Sequence, residues 1–111
     1  MIKIKEYIDQ SGKSPFSMWH DRLDSIAAAK VSTALYRIEQ GNFSNAKGIG
    51  GGILEYKIDF GPGYRVYFGK DGEALVILLG GGTKKHQQRD IDAAKIYWKN
   101  YKARKRETDE V

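Results

Sequence analysis

The pattern that most restricts the fold of this chain is a pair of alternating segments on either side of Gly61-Pro62-Gly63. The segments are Ile53 to Phe60 (ILEYKIDF) and Tyr64 to Phe68 (YRVYF), and both place apolar side chains at every even position. Strict alternation is typical of a strand with one buried face. Glycine and proline between the segments indicate a tight turn. The sequence therefore predicts an antiparallel hairpin.

The two faces of this hairpin differ in chemistry. If the three turn residues form the loop, Ile58 faces Val66 and Asp59 faces Arg65, and the even-numbered residues stay on one side across the turn. We expect that side to form the core. The opposite side gathers polar and charged groups into a patch, at Glu55, Lys57, Asp59, Arg65 and Tyr67.

The first half of the chain predicts one strand and a helical region. Residues 2–8 alternate and favour a strand. Ser14-Pro15 is a favourable helix start, and Gly41 is a plausible helix end. We prefer a two-helix hairpin broken near Ser25 to one long helix. The glycine-rich residues 41–52 lack the spacing of a phosphate-binding loop, so we expect a flexible connector there.

The second half completes an α+β domain. After an Asp71-Gly72 turn, residues 74–79 are apolar without alternation, which predicts a central strand covered on both faces. A final helix is expected from about Gln87 to Lys102. The predicted fold is an N-terminal strand and a helical hairpin packed on a small antiparallel sheet, with a C-terminal helix. We expect residues 1–103 to form this single domain and the charged residues 104–111 to form a disordered tail.

Charge and composition restrict the partners. The net charge is +5, and nearly half of the 19 basic residues lie between Lys84 and Arg106, a distribution that favours phosphate backbones or acidic proteins as partners. There is no cysteine, which excludes disulfides and thiol nucleophiles. His20 and His86 lie far apart without further ligands, so no metal site is expected. No segment resembles a secretory signal or a membrane span, and we expect a cytoplasmic protein.

Two stretches carry a family resemblance. GILEYKIDFGPGYRVYF, followed by LLGGGTKKHQQRDI, resembles the RelE/ParE toxin superfamily, and most closely its branch of addiction-module killer proteins related to HigB toxins. The resemblance covers residues 1 to about 103. Two positions depart from the pattern of the branch. Lys57 stands where arginine is more usual, and His86 stands where small polar residues are more usual.

The resemblance implies a RelE-like sheet packed by a helical pair and a toxin neutralised by an adjacently encoded antitoxin. RelE-like members cut mRNA in the ribosomal A site without metal, whereas ParE-like members poison DNA gyrase. Our leading hypothesis is a ribosome-dependent endoribonuclease (an mRNA interferase) of a type II toxin-antitoxin system that inhibits translation without a cofactor. Its partners are then mRNA, the ribosome and a helix-turn-helix antitoxin in a hetero-oligomer. A gyrase poison and a non-catalytic basic binding module are the alternatives.

Metal-free RNA cleavage needs a base, cations that stabilise the charge growing on the phosphoryl oxygens, and an acid. The candidate catalytic residues are Arg65, Lys84, Lys57, Glu55, Tyr67 and His86. The candidate RNA-binding residues are Lys85, Arg89 and Lys95. Each has a simpler interpretation. Arg65 can form a surface ion pair with Asp59, Tyr67 can be an exposed strand tyrosine, and the remaining charged groups can be solvated.

Overall fold

A computed structural model describes residues 1–109. Its strands are β1 (Lys3–Glu6), β2 (Ala46–Gly48), β3 (Ile53–Ile58), β4 (Tyr64–Lys70) and β5 (Leu75–Thr83), and its helices are α1 (Pro15–His20), α2 (Ser25–Glu39) and α3 (Gln87–Asp109), with a 3-10 turn at Lys84–His86. The strands form one sheet in the order β1-β5-β4-β3-β2. The predicted α+β class is confirmed.

The sheet is mixed, which corrects the prediction of a purely antiparallel one. β1 runs parallel to β5, whereas the other neighbours are antiparallel. A parallel neighbour needs a long crossover rather than a tight turn. The helices and hairpins between β1 and β5 supply that crossover, and alternation within single segments does not reveal it.

The two helices before the hairpin are confirmed, including the break between them. Ser14 caps α1 by accepting a hydrogen bond from the Ser17 amide, and Asp24 caps α2 by accepting one from the Ala27 amide. Gly41, at φ +79°, ends α2. Its amide donates to the Ile38 carbonyl, and the next amide donates to Arg37. This pair of bonds is a Schellman motif, which favours glycine because of the left-handed backbone.

Two hydrophobic cores cover the two faces of the sheet. The first lies under α1 and α2 and includes the even-numbered hairpin residues Tyr56, Ile58, Val66 and Phe68. The second lies under α3 and includes Ile77, Leu79, Ile91, Ala94 and Trp98. Along β5, Val76 and Leu78 enter the first core, whereas Ile77 and Leu79 enter the second. This alternation confirms that the strand is covered on both faces.

The register of the hairpin differs from the predicted one by two residues. Ile58 pairs with Tyr64, and Lys57 pairs with Arg65. The loop is wider than expected because Asp59 and Phe60 leave the strand, and the Phe60 ring instead stacks on Tyr64 with 6.5 Å between ring centroids. A shift of two preserves which residues share a face. The expected pairing of Asp59 with Arg65 is wrong.

Three segments are more regular than the sequence suggested. The expected flexible connector contains β2, which pairs with β3 along the sheet edge. β5 continues through the glycines to Thr83. α3 continues to Asp109, so the predicted disordered tail is wrong for residues 104–109, and residues 110–111 lie outside the described residues. Arg104 lies 5.0 Å from the Tyr7 ring centre, and such contacts hold the end of the helix on the sheet.

No helix within residues 1–109 combines the length and the apolar character needed to cross a bilayer.

The end of α3 is joined to the β4–β5 turn through Asp71. The carboxylate accepts a hydrogen bond of 2.5 Å from the Tyr101 hydroxyl and lies 2.5 Å from the Lys105 ammonium group. The hydrogen bonds from Lys105 and Tyr101, followed by the Lys105 charge, hold the pKa of Asp71 below its usual value of 3.8. Burial and the Asp71 carboxylate raise the pKa of Tyr101 to about 12.

We expect Asp71→Asn to lower the free energy of unfolding at neutral pH by about 1 kcal/mol, since a hydrogen bond to a charged group is lost. A carboxylate with a lowered folded-state pKa stabilises above its unfolded pKa, and this contribution is lost as pH falls. The wild-type protein should therefore lose stability below about pH 4 more steeply than the variant. Urea titrations at several pH values measure this, with the exposed Asp21→Asn as the control. Identical pH profiles for the wild type and Asp71→Asn would contradict the prediction.

Candidate functional site

The odd-numbered face of the β3–β4 hairpin is largely buried, although the sequence predicted an open polar patch. Glu55 is 1%, Arg65 6% and Tyr67 0% exposed. α3 causes this burial because it packs across the same face, where the Trp98 ring approaches Gly69 so closely that an added Cβ would lie 2.5 Å from it. Only the end of the face near Lys57 remains open to solvent.

A carboxylate and a guanidinium form the buried centre of this face. The Glu55 Oε1 atom lies 3.7 Å from the Arg65 Nε atom, and the Gln87 amide donates a 2.9 Å hydrogen bond to Glu55 Oε2. Arg65 also donates a 2.7 Å hydrogen bond from Nη1 to the Gly63 carbonyl. Both carboxylate oxygens are thus engaged by groups from different elements, which fixes Glu55 and Arg65 in place.

Three lysines surround this centre from the solvent side. Lys47 pairs directly with Glu55 across the β2–β3 ladder, with 4.0 Å between its Nζ and Oε1, and its side chain is 70% exposed. Lys57 pairs with Arg65 across the next ladder and is 54% exposed. Lys84 follows β5, whose end pairs with the start of β4. We call Lys47, Lys57, Arg65 and Lys84 the cationic cluster.

Arg65 and Lys84 both lie next to Gly63 in the hairpin loop. A Cβ atom on this glycine would lie 3.3 Å from Arg65 Nη1 and 4.0 Å from Lys84 Cβ. The two cations thus flank the same point of the hairpin loop.

A depression of about 290 Å³ leads to Glu55 beside Lys47 and Lys57. Lys47, Glu55, Lys57 and Asp59 line it together with residues 44–46. Asp59 pairs with Lys57 at 3.6 Å, but both side chains are exposed, and exposed ion pairs are weak. A phosphate group can therefore displace Asp59 from Lys57 at little cost.

Tyr67 was expected on the polar face of the hairpin, either exposed to solvent or placed to stack on a base or orient a phosphate, and the structure buries it instead. It is completely buried, and its hydroxyl has no hydrogen-bond partner among the described residues. Burial, followed by the negative charge of Glu55, raises the pKa of Tyr67, so its hydroxyl stays protonated at physiological pH. A nucleobase cannot stack on this ring, and the interpretation as an exposed strand tyrosine is equally wrong.

The remaining predicted site residues lie outside the cationic cluster. His86 and Arg89 line a separate depression of about 210 Å³ beside β5. Lys85 is exposed on the 3-10 turn. Lys95 covers the β2–β3 turn, where an added Cβ on Gly51 would lie 3.1 Å from its Cγ. The structure thus brings Glu55, Lys57, Arg65 and Lys84 together, and it separates His86 and Lys95 from them.

Two members of the site were not among the predicted residues. Lys47 lies in the segment interpreted as a flexible connector, and a strand of three residues is too short to show alternation. Gln87 belongs to the motif that carries the family resemblance, yet its contact with Glu55 spans 32 positions of the chain and cannot be inferred from local spacing. Within residues 1–109 no three His, Asp or Glu side chains converge where a metal ion could be held.

These features define a small α+β domain with a cationic cluster above a buried glutamate. No protein-family model matches the sequence. The chain is 43% identical over 82 residues to an uncharacterized protein of Haemophilus influenzae, and the match covers 73% of this chain and 83% of that protein. The chain belongs to the same family as this relative. The relative's description names no activity, so membership of the family assigns none to this chain.

Proposed function

We propose that this chain is the toxin of a type II toxin-antitoxin module, a HigB-like member of the RelE/ParE superfamily that cleaves mRNA on the ribosome and so inhibits translation. The observation that carries the proposal is the cationic cluster: three exposed lysines around a buried Arg65–Glu55 pair. The helical pair packed on one face of the sheet is consistent with the RelE-like fold that the sequence resemblance implies.

The cluster suits charge stabilisation in phosphodiester cleavage. As the 2′-oxygen attacks, negative charge grows on the phosphoryl oxygens, and fixed cations stabilise that charge more in the transition state than in the substrate. Lys57 and Lys84 have exposed side chains that can contact the phosphate directly. Arg65 is held by Gly63 and Glu55, so its positive charge needs no reorganisation during the reaction.

Glu55 acts in this proposal as a positioning residue. Its carboxylate is 1% exposed and accepts a hydrogen bond from Gln87, so it is not free to take a proton from RNA. Its negative charge instead orients Arg65 and attracts Lys47. The cluster does not require Tyr67, whose buried hydroxyl stays protonated.

The test of the proposed function is a cell-free translation reaction. We expect the purified protein to stop translation and to produce new mRNA 5′ ends that depend on the presence of ribosomes. Intact mRNA at concentrations that stop translation would contradict nuclease activity. A parallel DNA supercoiling assay separates the gyrase alternative, because a gyrase poison would accumulate cleaved DNA and leave mRNA intact.

The proposal also requires a cytoplasmic partner. A helix-turn-helix antitoxin encoded next to this chain should bind the toxin and restore translation when it is added to the same reaction. The positive charge of the toxin favours a partly acidic antitoxin.

A further inference from the structure

One edge of β5 lacks a neighbouring strand. β1 pairs with β5 only between Leu75 and Leu78, and its ladder ends where the Tyr7 amide donates to the Leu78 carbonyl. β5 continues to Thr83. On the β1 side of this continuation no described residue pairs with the backbone. Alternate residues of an antiparallel strand direct their N–H and C=O groups away from their partner, so unpaired donors and acceptors face outward here.

This edge forms the floor of a groove. Two adjoining depressions of about 460 and 210 Å³ share Trp19, Arg22, Gly81 and Asp90. α1 and the residues after it supply one wall, and α3 supplies the other. We call this surface the β5 groove, and its lining includes Lys13, Trp19, Arg22, Gly80, Gly81, Asp90, Ala93 and Tyr97.

Glycines bring both walls directly onto the strand. A Cβ atom on Gly81 would lie 2.3 Å from the Trp19 ring, and one on Gly82 would lie 2.0 Å from Asp90 Oδ2. Any larger residue would push α1 or α3 away. Because Trp19 and Asp90 fill the space of the missing side chains on the two faces of β5, another extended chain can approach this backbone only along the edge of the strand.

The charges around the groove favour an acidic occupant. Its carboxylates are already engaged: Asp9 accepts hydrogen bonds from the Ser11 and Lys13 amides, and Asp90 pairs with Arg89 at 3.5 Å. Arg22 forms no ion pair with any other residue of the part that the structure describes. Three cations, Lys13, Arg22 and Arg89, thus face two carboxylates in the groove lining, which leaves a net charge of +1.

We propose that an extended acidic segment of a partner protein occupies the β5 groove and adds a strand to the free edge of β5. The segment lies along the edge of β5 beyond Leu78, where β1 no longer pairs with this strand. Its amides and carbonyls pair with the outward-facing backbone of Leu79–Thr83, its carboxylates meet Arg22 and Lys13, and its apolar side chains pack on Trp19 and Tyr97.

A polypeptide fits this edge better than RNA. A strand edge presents both donors and acceptors, and only another peptide backbone offers both at the matching repeat. The phosphate oxygens of RNA only accept, and they would leave the outward carbonyls of the edge unpaired. The groove also shares no lining residue with the depression that leads to Glu55.

The inference rests on the proposed function only for the identity of the partner, which would be the antitoxin. Binding of a peptide to the groove is measured without nuclease activity. A protein that binds peptide but spares mRNA contradicts only the proposed function, and one that cuts mRNA but binds no peptide contradicts only this inference.

The experiment uses the isotope-labelled full chain and two synthetic peptides, one alternating glutamate with valine and the other lysine with valine. We expect the glutamate peptide to shift the NMR signals of the Leu79–Thr83 amides and to slow the hydrogen exchange of the outward-facing ones. The Arg22→Glu variant should bind it roughly tenfold more weakly. Lys99→Glu is the matched control, since it makes the same change of charge at an exposed position of α3 outside the groove.

Three results would overturn the inference. One is that the glutamate peptide leaves the Leu79–Thr83 signals unchanged. Another is that both peptides bind equally, or that Lys99→Glu weakens binding as much as Arg22→Glu. The third is that a single-stranded RNA oligonucleotide shifts the Leu79–Thr83 signals when the glutamate peptide does not, which would make the groove a nucleic-acid site.

Discussion

Replacing Lys57 and Lys84 together by alanine is expected to lower the rate of mRNA cleavage by about 10²- to 10³-fold, as loss of preorganised charge stabilisation does in other enzymes. Both lysines are exposed, so the fold should survive the change. They flank Arg65, one across the β3–β4 ladder and the other next to Gly63. The rate is measured as the appearance of mRNA 5′ ends at saturating ribosome concentration, so that weaker ribosome binding does not lower it.

The matched control replaces Lys3 and Lys99, which are exposed lysines outside the cationic cluster, by alanine. This variant loses the same net charge and should retain most of the cleavage rate, although its binding to ribosomes weakens through the general loss of charge. If both double variants lose cleavage equally, the cluster has no special role. If neither loses it, the active site lies elsewhere.

Glu55→Ala is expected to destabilise the fold by about 3–5 kcal/mol, the usual result of removing one partner from a buried ion pair. The change leaves the Arg65 guanidinium buried without its counter-charge and removes the acceptor of the Gln87 amide. Urea unfolding followed by circular dichroism measures this loss. Glu73→Ala, at an exposed position of the β4–β5 turn, should change stability by no more than about 0.5 kcal/mol.

A double variant separates stability from activity. Glu55→Leu with Arg65→Met replaces the ion pair by apolar groups of similar size, and such exchanges are often neutral or stabilising. We expect this variant to recover most of the stability that Glu55→Ala loses, yet to cleave mRNA far more slowly than the wild type. A fully active double variant would show that Arg65 takes no part in the reaction, and a Glu55→Ala loss below about 1 kcal/mol would show that the pair is not buried as described.

Local patterns predicted the faces of the strands well because side-chain direction depends only on position along a strand. Every even-numbered residue from Tyr56 to Phe68 that stayed in a strand lies on the predicted face. The register failed because it depends on loop length, and the preference of Phe60 for stacking on Tyr64 is not encoded in the alternation. The β1–β5 pairing was beyond reach for a similar reason, since it joins opposite ends of the domain.

The site was predictable in part. The sequence predicted that Lys57 and Arg65 share one face of the hairpin, and the two residues pair across the β3–β4 ladder. It did not indicate that the odd-numbered face is buried, because charged side chains at alternate positions usually face solvent. The burial depends on where α3 crosses the sheet, which follows from the packing of Trp98 on Gly69 across a long stretch of chain.

The end of α3 has a practical consequence for anyone who shortens this protein. Charge alone suggested that the domain ends at residue 103, but Arg104 lies over the Tyr7 ring and Lys105 joins the β4–β5 turn through Asp71. Arg106, in the last turn of α3, also interacts favourably with the negative end of the helix dipole. Trimming the chain at 103 would remove two anchors of the longest helix, the contact of Arg104 with the Tyr7 ring and the ion pair of Lys105 with Asp71. The segment that looks most dispensable in the sequence therefore belongs to the folded unit.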